Sequence, residues 1–149
     1  MAFLRVLVAL LAMIGGASAS TYTVGDQLGW TVPPAGDVAY KVWAAEKSFD
    51  LGDTVVFNWN GTHDVAEVSK VDYDNCTTTN PIGTIQKTSP YSVTLNGNSS
   101  RYFICTVSTH CKQGQKVTLS IGGASSIVAR AFSTIVVSVL VFAFISHVH

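Results

Sequence analysis

Residues 101–121 read RYFICTVSTHCKQGQKVTLSI. Arg101 to Cys105 and Lys116 to Ile121 are short runs rich in β-branched and aromatic residues, and the polar segment between them contains Gly114. The pattern predicts two strands joined by a loop. Outward from it the same grammar repeats. Tyr22-Thr23-Val24 runs into Gly25-Asp26, Val38 to Trp43 alternates as a strand does, and Thr54 to Trp59 is opened by Gly52-Asp53 and closed by Asn60-Gly61. Tyr91 to Leu95 alternates and stops at Asn96-Gly97. Several short strands at this spacing predict a β-sandwich or small barrel, all-β with little helix. Only Val71 to Cys76 reads as a helical turn or two. Asp64 and Glu67 read as part of a solvated strand face, and Trp30, Trp43 and Trp59 as core or rim packing.

Both ends of the 149-residue chain differ from this middle. Met1 to Arg5 carries one positive charge, Val6 to Ile14 is an apolar run of nine, and Ala17-Ser18-Ala19 are small. That is the plan of a secretory signal peptide over residues 1–19, cleaved after Ala19. At the other end come Gly122-Gly123-Ala124-Ser125-Ser126, a spacer with Arg130, and the apolar run Ala131 to Ile145. Small residues, spacer and apolar tail over residues 122–149 spell a glycosylphosphatidylinositol attachment signal, with Gly122, Gly123 and Ala124 as candidate attachment residues. The alternative is a transmembrane helix, although the run falls short of the roughly 20 residues a span needs.

Between the ends lies one domain, residues 20–121. Charged residues are 12% of the whole chain, and this middle holds seven basic and nine acidic ones, a net charge of −2. Such a balance excludes a disordered chain and a basic nucleic-acid binder. Export makes the three sequons meaningful: Asn60, Asn75 and Asn98 are glycosylation candidates.

Of the four histidines, His147 and His149 lie in the tail, which leaves His63 and His110. Both methionines fall in the leader, whereas Cys76, Cys105 and Cys111 all belong to the domain. An odd cysteine count in an exported domain asks what the third thiol does. Cys105 ends a strand and His110 follows at C-x4-H, so a loop can turn both toward one centre. With His63 they make a trigonal His2Cys set, and Gln115 can offer its amide oxygen along the axis. Such a set with a weak axial donor belongs to blue-copper electron-transfer sites. Zinc also fits nitrogen and sulfur donors but is redox-silent. Because Cys111 adjoins His110, their side chains point apart in an extended loop. Cys105 is then the better ligand, and Cys76 pairs with Cys111. A Cys76–Cys105 disulfide, with Cys111 idle and His110 on the surface, is the alternative. No Ser/His/Asp triad or phosphate loop exists, and no catalytic residues are expected.

Several stretches together resemble one family. They are Tyr22 to Asp26 with Gly29-Trp30, Trp43-Ala44 to Phe49, Gly52-Asp53, and Phe57 to His63-Asp64-Val65. Asp74-Asn75-Cys76, Tyr102 to Cys105, and Thr109-His110-Cys111 to Gly114-Gln115-Lys116 continue the match. The chain resembles the phytocyanins, plant cupredoxins, in their stellacyanin-like branch with an axial Gln. The resemblance covers essentially Ser20 to Ile121. It implies a cupredoxin-like Greek-key β-sandwich, one type 1 copper ion on His63, Cys105, His110 and Gln115, and a Cys76–Cys111 disulfide. Some relatives have lost their ligands and serve as copper-free wall proteins, but here all four positions are filled.

The expected function is therefore single-electron transfer between Cu(II) and Cu(I) by a carrier rather than an enzyme. The expected setting is the extracellular face of the plant plasma membrane, through a lipid anchor, or the cell wall. A monomer is expected, with a small-molecule or protein redox partner and no nucleic acid. The alternative is a non-redox structural glycoprotein of the cell surface or wall.

Overall fold

The computed structural model describes residues 18–97 and 99–122. Residues 1–17, Asn98 and residues 123–149, on which the expected signal peptide, one sequon, the attachment candidates Gly123 and Ala124 and the apolar run fall, lie outside the described residues.

Among the described residues six short strands form where β-branched and aromatic residues cluster. They are β1 (Thr21–Thr23), β2 (Thr54–Phe57), β3 (Ala66–Val68), β4 (Tyr91–Thr94), β5 (Arg101–Ile104) and β6 (Lys116–Leu119). Two three-stranded sheets result, ordered β1-β2-β4 and β3-β5-β6. β1 runs parallel to β2, with Tyr22 opposite Val55; the other pairs are antiparallel, with Val93 opposite Val55 and Phe103 opposite both Glu67 and Val117. From β2 to β5 each successive strand changes sheet. The connections therefore cross the ends of the sandwich, and the loops at one end carry the candidate ligands.

Alternation sorts the faces. Val55 and Phe57 of β2 and Val117 and Leu119 of β6 are buried, while their neighbours are half-buried. Period-2 alternation turns one set inward. The two inner faces meet at Phe57, whose ring centroid lies 5.0 Å from Trp30 and 5.1 Å from Phe103. Such aromatic pairs add about 0.5–1.5 kcal/mol beyond the area they bury. Trp30, Trp43 and Trp59 all belong to the core. A second cluster, Ala66, Val68, Tyr73, Ile104 and Cys111, covers the other face of β3 and β5.

One expectation is corrected. Where alternation predicted a strand, Val38–Ala45 forms a helix, α1. Tyr40 and Trp43, three apart, are its buried pair, and Val38 and Val42, four apart, both face solvent. Spacings of three and four share a helix face, and so short a run carries both periods. Tertiary contacts choose between them. The Tyr40 hydroxyl donates to the Gly29 carbonyl and accepts from the Thr31 N–H, each at 2.8 Å, which ties α1 to the Trp30 turn. The second helix, α2 (Lys70–Asn75), is the short one the sequence signalled, and Ser69 caps it by accepting from the Asp72 N–H.

Candidate metal centre

His63 lies in the connection between β2 and β3, while Cys105, His110 and Gln115 lie in the loop between β5 and β6. That loop closes on itself. The Cys105 N–H donates to the Gln115 carbonyl at 3.1 Å, the Gln115 N–H to His110 at 3.0 Å, and the His110 N–H to Val107 at 3.0 Å. Gly114, at φ +101°, rests against a neighbouring turn; a Cβ there would come within 2.3 Å of the Asp37 nitrogen. Only glycine combines that backbone angle with that approach.

The two loops bring the four side chains together. His63 Nδ1 lies 3.2 Å from His110 Nδ1 and 3.0 Å from Gln115 Oε1, and Cys105 Sγ lies 3.6 Å from His110 Nδ1. The His63, Cys105 and His110 donor atoms all fall within 4.8 Å of one another. Cys105 and Gln115 are buried, and both imidazoles are partly exposed.

These spacings test whether an ion fits. At metal–nitrogen and metal–sulfur distances of about 2.0–2.1 and 2.3 Å, tetrahedral donors stand about 3.3 Å apart, nitrogen to nitrogen, and about 3.6 Å, nitrogen to sulfur. Two edges, 3.2 and 3.6 Å, come close to these values, and the third, His63 to Cys105, lies within 4.8 Å. Gln115 adds a second sign: its Nε2 is buried with no hydrogen-bond partner, while its Oε1 turns into the cluster. Buried amides ordinarily satisfy both ends. Here one end is sacrificed to aim the other, and two imidazoles with one thiol suit a borderline ion such as copper or zinc.

Electrostatics keep the imidazole free. Burial, then the neighbouring His110, lowers the His63 pKa below the usual histidine value, so its ring stays neutral with a lone pair to give. Burial pushes the Cys105 thiol up to about 11, so without a metal it stays protonated.

Cys76 and Cys111 form the disulfide, with Cα atoms 5.7 Å apart, and Cys105 is the free thiol. The alternative Cys76–Cys105 pairing is not formed. The bridge ties the end of α2 to the ligand loop. Asn60 and Asn75 are both exposed, and Asn75 Nδ2 donates to the Val71 carbonyl at 2.9 Å. Gly122 is exposed at the edge of the described residues.

Asp64 and Glu67 do not form a solvated face. Asp64 is buried and accepts from the Thr106 N–H at 2.6 Å and hydroxyl at 2.5 Å. Glu67 receives a two-pronged Arg101 at 2.7 and 2.6 Å. Only its position beside His63 pointed to Asp64 in the sequence.

A family profile described as a plastocyanin-like domain matches residues 30–115. The chain belongs to the plastocyanin-like domain family. This plastocyanin-like chain is 37% identical over 112 residues to cucumber peeling cupredoxin of Cucumis sativus, covering 74% of itself and 81% of that protein. It is 39% identical over 104 residues to the stellacyanin of Toxicodendron vernicifluum, covering 68% and 96% respectively. Of a blue copper protein of Pisum sativum, 39% identical over 120 residues, it covers 80% of itself and spans 61% of the relative. Among solved structures, cucumber stellacyanin with Cu2+ superposes with a TM-score of 0.63 at 36% identity, over 70% of this chain and 96% of that one. Cucumber basic protein, a blue copper protein, gives 0.58 at 27% identity, over 68% and 98%. The phytocyanin resemblance holds, and the two-sheet sandwich with few helices is the cupredoxin fold.

Proposed function

We propose that this protein is a type 1 copper carrier that passes single electrons at the outer face of the plasma membrane, on a lipid anchor, or in the cell wall. One observation carries the reading: the His63, Cys105 and His110 donor atoms gather within 4.8 Å of one another, with Gln115 Oε1 3.0 Å from His63 Nδ1. Relatives named blue copper protein and stellacyanin support it.

His63 Nδ1, His110 Nδ1 and Cys105 Sγ would hold the ion, and Gln115 Oε1 would offer a fourth, harder donor. When bound, copper supplies a one-electron Cu(II)/Cu(I) couple. Cys105 would bind as the thiolate, its proton passing to solvent as the ion is loaded. Both imidazoles face the centre through Nδ1 and both residues are partly exposed; the His110 edge would serve as the electron's port. The Asp64 clamp, the disulfide and the Gly114 contact pin both loops, so the donors move little when charge changes. Four protein donors leave no place for a substrate, which suits a carrier rather than an enzyme.

The test is colour and paramagnetism. Protein purified from its own membrane and oxidised should be intensely coloured, with a Cu(II) paramagnetic resonance signal that Cys105→Ser abolishes. A protein that stays colourless with copper is the cell-surface scaffold instead. Release from membranes by phosphatidylinositol-specific phospholipase tests the anchor. Retention with His149 intact by mass spectrometry means a transmembrane helix.

A further inference from the structure

Asp53 is a buried carboxylate, 2% exposed, at the start of the connection into β2. Its Oδ1 accepts from the Ser20 backbone N–H at 2.7 Å and its Oδ2 from the Asp50 N–H at 2.8 Å. No cationic side chain reaches it: the ion pairs among the described residues join Lys41 to Asp37, Lys47 to Asp26, Lys70 to Asp74 and Arg101 to Glu67. A carboxylate taken out of water without a cation is costly. The unmatched charge points at one particular nitrogen, that of Ser20. This is the atom that cleavage after Ala19 sets free.

We propose that removal of the leader makes the Ser20 α-ammonium the counter-ion of Asp53, so that processing completes the fold. The inference rests on residues 1–19 being a cleaved leader. In the cleavage, a signal peptidase adds water across the Ala19–Ser20 peptide bond. The hydroxyl goes to the Ala19 carbonyl carbon, the carbon–nitrogen bond breaks, and the Ser20 nitrogen leaves as an amine. An α-amine ordinarily titrates at about 7.7–8, so near neutral pH it takes up a proton. A neutral N–H donor becomes a charged one at the same place, and charge-assisted hydrogen bonds are about twice as strong as neutral ones.

The surroundings hold that nitrogen in register. The Ser20 carbonyl accepts from the Thr54 N–H at 2.8 Å, the Asp53 carbonyl from the Leu95 N–H at 2.7 Å, and the Leu95 carbonyl from the Gly52 N–H at 2.8 Å. Asp53 therefore joins the starts of β1 and β2 to the end of β4. β1 has three residues and lies at an edge of its sheet, where a terminal strand frays unless tied down. The tie is specific to one start site. Each residue added or removed shifts the ammonium by about 3.3–3.6 Å along an extended chain, off Asp53.

N-terminal sequencing of the protein from its own membrane comes first, with Ser20 expected. Any other start overturns the leader reading and the proposal with it. Three chains are then melted: one starting at Ser20 with a free amine, the same chain acetylated at that amine, and one starting at Ala19. Acetylation keeps an N–H for Asp53 and removes only the charge. The free-amine chain should melt highest, the other two about 4–8 °C lower, and Asp53→Asn should erase the difference. A start at Ser20 with equal melting of the free and acetylated chains overturns the proposal while leaving the leader reading intact. If Asp53→Asn fails to fold, the acetylation pair decides alone.

Discussion

Asp64 grips Thr106 twice, accepting from its backbone N–H at 2.6 Å and from its hydroxyl at 2.5 Å. Asp64 follows His63 and Thr106 follows Cys105, so one side chain sets the spacing of the two loops that carry the donors. The Trp30 Nε1–H donates to the Asp64 carbonyl at 2.8 Å and fixes the clamp to the core. Hydrogen bonds to a charged group are worth about 1.5–3 kcal/mol each. Asp64→Ala should lower the stability of the metal-free protein by a few kcal/mol, about one such bond or more. Partners that orient ligands typically change metal affinity about 10–100-fold, and a similar loss is expected in a chelator competition. Unchanged affinity would remove Asp64 from the support of the site.

Cys105 should make the metal-free protein sensitive to alkali. Its pKa is pushed from 9.0 to about 11 by burial, so above pH 9 the unfolded chain ionises where the folded one does not. The folded-state value is the raised one. The stability is therefore full below about pH 9 and is lost as pH climbs toward 11, by roughly 2–3 kcal/mol for two pKa units. Denaturant melts should slope downward from about pH 9, and Cys105→Ser should remove the slope between about pH 9 and 10. From about pH 10 upward Tyr40, raised from 10.0 to about 12 by burial, adds a loss of its own that the variant keeps. In the copper-loaded protein Cys105→Ser should bleach the colour, whereas Cys111→Ser should cost about 2–5 kcal/mol of disulfide stability and keep some colour.

Gln115→Met exchanges a hard oxygen for a soft sulfur of similar length. Hard donors favour Cu(II), so the reduction potential should rise while the colour, which belongs to Cys105, persists. The orphaned Nε2 also disappears, so stability should hold or improve. Voltammetry of both proteins in one buffer settles it, and an unmoved or lowered potential takes Gln115 out of the coordination.

Gly114→Ala should move the axial donor. The new Cβ would stand 2.3 Å from the Asp37 nitrogen and 2.4 Å from the Gly36 carbonyl carbon, so the segment must back off by about 1 Å to reach the 3.4 Å of ordinary contact. Gln115 is the next residue, and shifts of that size spoil a preorganised site. Copper loading should weaken and the potential rise. Gly52→Ala is the control, because at φ +90° it carries the same kind of backbone strain with nothing within 4 Å of the new Cβ. It should cost stability and leave the potential alone. Equal potentials in all three proteins would mean that the Gly36–Asp37 turn yields instead.

The sequence by itself determined what is local. β2, β4, β5 and β6 lie within runs whose period of two is written in adjacent residues, and α2 has its Ser69 cap within its own turn. The kinds of donor, their order and the C-x4-H spacing are likewise properties of the chain. Only the tertiary structure decided what depends on partners far away. Val38 to Trp43 satisfies both periods, and Tyr40 reaching the Gly29 carbonyl made it helix. Asp64 looked like surface until Thr106, 42 residues away, supplied its donors. Gly114 met the Asp37 backbone, and Asp53 met Ser20, in the same way. The Cys76–Cys111 bridge was already legible in the chain, and the fold closes it across a separation of 35 residues. A pattern of neighbours encodes which face of a strand or helix is apolar, because that depends on a repeat of two or 3.6 residues. It does not encode which buried polar group finds which partner, because that pairing exists only once the sheets have brought the loops together.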